Sequence, residues 1–135
     1  MGGHFVQGHV DTIAEIVRKT PDGDAVVFRF KPRERDVLKY IVEKGFIALD
    51  GASLTITGTG EEDGGWFEIM LIKYSQEKVV MARKEAGDGV NVEVDMVGKY
   101  VEKCVVGYLE GGEGGKQSWL EKLVEKAVDA RLKER

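Results

Sequence analysis

The chain has 135 residues, 33% of them charged with acids and bases interspersed, and a net charge of −4 at pH 7. That length suits one core-forming domain, and the acidic balance argues against a basic nucleic-acid footprint; no apolar run approaches a membrane span, and the first residues do not read as a secretory signal. The lone Cys104 excludes a disulfide framework or multi-cysteine metal site and fits a reducing, cytoplasmic setting, while 18 glycines against two prolines favour many tight turns, as in a small barrel or sandwich.

His4 to Val17 reads as a long β-rich segment. Gly8 interrupts it, where a bulge, a bend or a close backbone approach is expected. Two histidines, His4 and His9, each follow a glycine there and mark the segment as site-bearing. It opens without a lead-in, as expected of a piece of a longer protein. Thr20-Pro21-Asp22-Gly23 is a turn, with proline presetting φ and glycine taking the positive value. Ala25 to Phe30 returns as the second strand of a hairpin. From Lys31 to Glu43 the character changes: Val37, Leu38, Tyr40 and Ile41 recur at helical spacing, Pro32 suits a first helical turn, and Gly45 lies near a C-cap.

Phe46-Ile47-Ala48-Leu49 is an apolar strand ending in the hairpin signal Asp50-Gly51. Ser53 to Thr57 alternates, so Ser53 and Thr55 share one face, and both hydroxyls can reach one ligand. An acidic turn at 61–65 leads to a strand from Trp66 to Ile72, with Trp66 expected in the core. Lys78 to Met81 reads as a short edge strand. Val90 to Asp95 has period two, with valines on one face and Asn91, Glu93 and Asp95 on the other. Lys99 to Leu109 has apolar residues at helical offsets, among them Cys104 as an expected buried thiol. A Gly-rich linker follows, and then a helix capped by Ser118 and Glu121, with Leu120, Leu123, Val124, Ala127 and Val128 as its apolar stripe.

Four blocks in register carry a family resemblance. They are Gly2-Gly3-His4-Phe5-Val6-Gln7-Gly8-His9-Val10-Asp11, then Lys44-Gly45-Phe46-Ile47-Ala48-Leu49-Asp50-Gly51-Ala52-Ser53-Leu54-Thr55, then Met70-Leu71-Ile72-Lys73-Tyr74-Ser75, and Gly87 to Asp95 leading into Lys99-Tyr100-Val101-Glu102. Over residues 2 to about 108 the chain resembles the second barrel of the α-type riboflavin synthases, and Ile72-Lys73-Tyr74-Ser75 resembles fungal members. The resemblance implies an all-β fold: a six-stranded antiparallel Greek-key barrel, with a short helix after the second strand and a C-terminal α-helix. Expected domains are a lumazine-binding barrel over 1–109, a linker over 110–117 and an oligomerisation helix over 118–135.

The implied ligands are 6,7-dimethyl-8-ribityllumazine and riboflavin, with no metal or redox cofactor. Two lumazines exchange a four-carbon unit to give riboflavin and 5-amino-6-ribitylaminouracil. The implied partners are the missing N-terminal barrel, which completes the active site, and copies of the chain joined as a trimer through the helix. By carry-over, substrate contacts come from Gly8, His9, Val10, Lys44, Asp50, Ser53, Leu54, Thr55, Met70, Leu71, Ile72, Lys73, Tyr74 and Ser75. Catalytic candidates are His4, His9, Lys44, Ser53 and Asp95. Each also has a structural reading: His4 as a barrel-end hydrogen-bonding group, Lys44 as a helix C-terminal charge, Asp50 as a turn residue. The rival functions are a non-catalytic lumazine or flavin carrier and an assembly module.

Overall fold

The computed structural model describes residues 2–110 and 115–133, with backbone alone over 115–120. Six strands, β1 (Thr12–Asp22), β2 (Ala25–Pro32), β3 (Phe46–Leu49), β4 (Ala52–Gly60), β5 (Trp66–Leu71) and β6 (Gly89–Val94), close into an antiparallel barrel. Their order around the wall is β1-β2-β5-β4-β3-β6, the Greek-key arrangement expected. Closure leaves no free sheet edge, since β1 pairs with both β2 and β6.

Alternation decides which side chains fill the barrel. Val90, Val92 and Val94 of β6 are all buried, and Ile47 and Leu49 of β3 join them. Phe28, Phe30 and Phe67 form the aromatic centre, with ring centroids 6.1 and 5.1 Å apart along the series. Each fully buried ring contributes roughly 1.5–3 kcal/mol through lost apolar hydration. Register shifts between Ile16 and Arg18 in β1 and between Ile56 and Gly58 in β4 bend the wall so that it can close.

A 3-10 turn, Arg35–Tyr40, follows β2 and sets Val37 into the core. Pro32 ends β2 instead of opening this turn, and the left-handed residue beyond it is Lys44 (φ 69°), not Gly45. Gly45 is instead required by space, because a Cβ there would meet the Val42 carbonyl oxygen at 3.0 Å. The expected strand at 78–81 is absent. That stretch belongs to α1 (Lys73–Lys78) and a 3-10 turn, Val80–Arg83, which places Met81 fully buried. Lys19 holds this cover in place, donating from Nζ to the carbonyls of Ala82 and Lys84.

The chain divides into two compact units, residues 1–98 and 99–135. Helix α2 (Met96–Glu110) starts in the first and continues into the second, which also contains α3 (Gly115–Lys133). Cys104 is exposed on α2 and not buried. Of the linker expected over 110–117, residues 111–114 lie outside the described residues, Glu110 ends α2 and 115–117 are already helical. Helix α3 begins at Gly115, three residues before Ser118; the capping expected of Ser118 and the side chain of Leu120 lie outside the described residues. Among the described residues no helix is long and apolar enough to cross a membrane.

Candidate functional site

The N-terminal segment departs most from the expected strand. β1 begins only at Thr12, and residues 3–10 form an arm outside the sheet. The arm lies on the outer face of β3, β4 and β6. Ser53, Ala48 and Glu93 form one row there, because Ala48 pairs with Ser53 on one side and with Glu93 on the other. The row points outward, since its neighbours Ile47, Leu49, Val92 and Val94 fill the core.

His4 binds the Ser53 end of this row. Its Nδ1 and Ser53 Oγ share a hydrogen bond of 2.6 Å, and its ring stacks on Phe46 at 5.1 Å and 12°. At the other end the backbone N–H groups of Gln7, Gly8 and His9 all donate to Glu93, over 2.8, 2.7 and 2.6 Å. Ala48 between them is 1% exposed although it faces outward, so the arm passes over it. Asp11 closes the arm, donating its N–H to the Val92 carbonyl and accepting from the Val94 N–H, both at 2.8 Å. Gly8 adopts φ 86°, a left-handed value that lets consecutive N–H groups converge on one carboxylate.

Glu93 is 7% exposed. Burial works against its charge, but the N–H groups of Gln7, His9 and Gly8 outweigh that penalty and the repulsion of Asp11, and its carboxyl titrates below the usual 4.5. Both of its oxygens are spent on the arm, so it is an anchor and not a free base. His4 Nε2, by contrast, is the buried side-chain nitrogen or oxygen among the described residues that has no hydrogen-bond partner. A buried polar atom of that kind is costly unless something pairs with it.

The other expected site residues divide by position. Thr55 is exposed on the same face as Ser53, across from Phe46. His9 and Val10 are exposed on the arm. Lys44 is exposed and donates its N–H to the Ile56 carbonyl, 2.8 Å away. Met70 and Ile72 are exposed at the end of β5, and Lys73, Tyr74 and Ser75 open α1. Leu54 and Leu71 turn inward and pack with the core. Asp50 ties the β3–β4 turn to the rest of the barrel, accepting from Asn91 N–H (2.8 Å) and Lys84 Nζ (2.7 Å). Asp95 accepts from the Val97 N–H at 3.1 Å and so caps the start of α2.

Glu93 escaped sequence reasoning because β6 alternation assigns it to the solvent face, and nothing local shows that an arm covers it. A signal existed: Gly8 sits among consecutive backbone donors that need an acceptor. Trp66, expected in the core, lies half-exposed on the wall. Arg29 stacks on its ring at 3.6 Å, its Nε1 donates to Glu62, and concavities of about 600 and 270 Å³ flank it.

A comparison with known families matches the lumazine binding domain to residues 7–95. The chain is 62% identical over 109 residues to the riboflavin synthase of Schizosaccharomyces pombe, covering 81% of this chain and 51% of that protein. It is 50% identical to that of Meyerozyma guilliermondii, over 98% of this chain and 57% of the relative. Riboflavin synthases of Mycobacterium tuberculosis match at 46% over 105 residues. Among solved structures, LumP complexed with 6,7-dimethyl-8-(1'-D-ribityl) lumazine aligns at a TM-score of 0.61 and 21% identity, over 70% of this chain and 51% of that one. At that identity the likeness concerns the fold. This chain spans about half the length of the riboflavin synthases it matches, and it belongs to the lumazine binding domain family.

Proposed function

We propose that this chain is the second, C-terminal barrel of a riboflavin synthase and holds one 6,7-dimethyl-8-ribityllumazine on the outer face of β3 and β4, beside the arm. The observation that carries this is the His4–Ser53 hydrogen bond, which docks the glycine–histidine arm onto the strand bearing Ser53 and Thr55. A flat heterocycle with a donor–acceptor edge and a hydroxylated tail suits a surface of backbone groups, two hydroxyls and a half-buried imidazole. The relatives' names and their fungal weighting support a fungal enzyme of this kind.

In the full reaction one lumazine loses a proton from its C7 methyl and a second is opened by a nucleophile. A four-carbon unit passes between them, giving riboflavin and 5-amino-6-ribitylaminouracil. Holding two rings face to face removes much of the entropic barrier, worth up to about 7–11 kcal/mol for well-oriented partners. The exposed His9 imidazole and the unpaired Nε2 of His4 are the groups proposed to move protons. Lys44 lies at the corner leading into β3, and its charge suits the polar edge of the ligand. Asp50 and Asp95 act through the turn and the helix start that they hold.

In such an enzyme an N-terminal barrel supplies the second ring, so turnover by these 135 residues alone is weak or absent. The apolar residues exposed on the helices, Tyr100, Val101 and Val105 on α2 and Leu123, Val124 and Val128 on α3, support assembly through these helices; a homotrimer in the cytoplasm is the arrangement that the riboflavin synthase reading carries with it. The test is a fluorescence titration of the chain with 6,7-dimethyl-8-ribityllumazine, then addition of a separately produced N-terminal barrel while riboflavin is followed. Saturable binding with turnover only after complementation fits the proposal. Absence of saturable binding refutes it.

A further inference from the structure

We propose that Glu93 is a positioning residue of the lumazine site, clamping the N–H groups of Gln7, Gly8 and His9 so that the arm keeps the shape in which it meets the ligand. This rests on the reading of the site given above.

Three anchors fix the arm: His4 on Ser53, residues 7–9 on Glu93, and Asp11 on β6. The outer two leave the middle free to vary, and the middle carries Gly8, His9 and Val10. Only the Glu93 clamp defines it. Oε1 accepts from both Gly8 and His9, and Oε2 accepts from Gln7. That pattern needs two acceptor oxygens. A glutamine offers one, and its amide nitrogen would face a donor. An aspartate keeps both oxygens but sits one methylene further from the arm. Around the carboxylate, β3 contributes only Ala48 and β1 begins with Thr12. The arm meets it with the backbone N–H groups of residues 7–9 and with the carboxylate of Asp11. The Asp11 charge presses on the Glu93 carboxylate and opposes its ionisation.

The test titrates the 135-residue chain, its Glu93→Gln variant and its Glu93→Asp variant with 6,7-dimethyl-8-ribityllumazine, and measures amide exchange residue by residue without ligand. The expected result is a Kd raised about tenfold or more in Glu93→Gln, with partial rescue in Glu93→Asp. Protection should fall at Gln7, Gly8 and His9 while the core amides of β2 and β5 keep theirs. In the wild-type chain, the three arm amide shifts should titrate together with the Glu93 carboxyl, below its usual range. Failure of the wild-type chain to bind overturns the reading of the site and this inference with it. Wild-type binding with Glu93→Gln binding within twofold overturns this inference alone. So does unchanged protection at residues 7–9, separate titration of the three amides, or loss of core protection in Glu93→Gln, which would make the residue a support of the barrel.

Discussion

Ser53→Ala isolates the contact that docks the arm. The substitution removes one hydrogen bond of 2.6 Å and leaves His4 Nδ1 without a partner on a ring whose Nε2 already lacks one. An imidazole with neither nitrogen satisfied, half-buried against Phe46, costs about 1–2 kcal/mol beyond the small packing loss of a hydroxyl. His4→Phe sets up the control. It keeps the stack on Phe46 and removes both polar nitrogens, so Ser53→Ala in that background should be nearly neutral. Urea unfolding of the four proteins gives the cycle, and a coupling energy of about 1 kcal/mol is expected. Costs that add to within about 0.3 kcal/mol would mean that the His4–Ser53 contact does not hold the arm, and the reasoning would fail. Lumazine affinity measured on the same four proteins should fall with the Ser53 hydroxyl in both backgrounds if that group also touches the ligand.

Ala48→Leu should lift the arm from the face it covers, costing about 1–3 kcal/mol of stability and weakening lumazine binding, both readable by thermal melts with and without ligand. Gly65→Ala forces a side chain at φ 98° into Leu38 Cδ1, so a loss of about 2 kcal/mol or more is expected by urea unfolding. Because folding lowers the Glu93 pKa, its stabilisation is present above the usual 4.5 and is lost as pH falls through the lower folded value. Denaturant midpoints of wild type and Glu93→Gln should therefore be furthest apart above the usual 4.5 and converge progressively as pH falls below it.

The barrel was legible because its strands announce themselves. Val90, Val92 and Val94 alternate with polar residues, and Asp50-Gly51 and Gly23 mark turns that only certain residues make. The arm was not legible as an arm. Its N–H groups are satisfied by a distant carboxylate instead of a neighbouring strand, and local sequence cannot distinguish the two. Residues 78–81 read as a strand because Val79 and Val80 are β-branched, yet Met81 is needed to cover the core, and Lys19 ties down the chain just beyond it through the Ala82 and Lys84 carbonyls. Trp66 looked like core for its size. Its place on the wall follows from the register that sets Arg29 opposite Glu68, which brings the guanidinium over the indole. Ser53 and Thr55 were readable on one face from alternation alone, whereas the pairing of Ser53 with His4 depends on a fold that joins residues 49 positions apart.

The most direct measurement is an amide-resolved NMR titration of the chain with 6,7-dimethyl-8-ribityllumazine. Saturable shifts concentrated at Gly8, His9, Ser53 and Thr55, with Trp66 and its flanking concavities silent, are the expected result. Shifts centred on Trp66, or none that saturate, would place the ligand elsewhere or nowhere on this barrel.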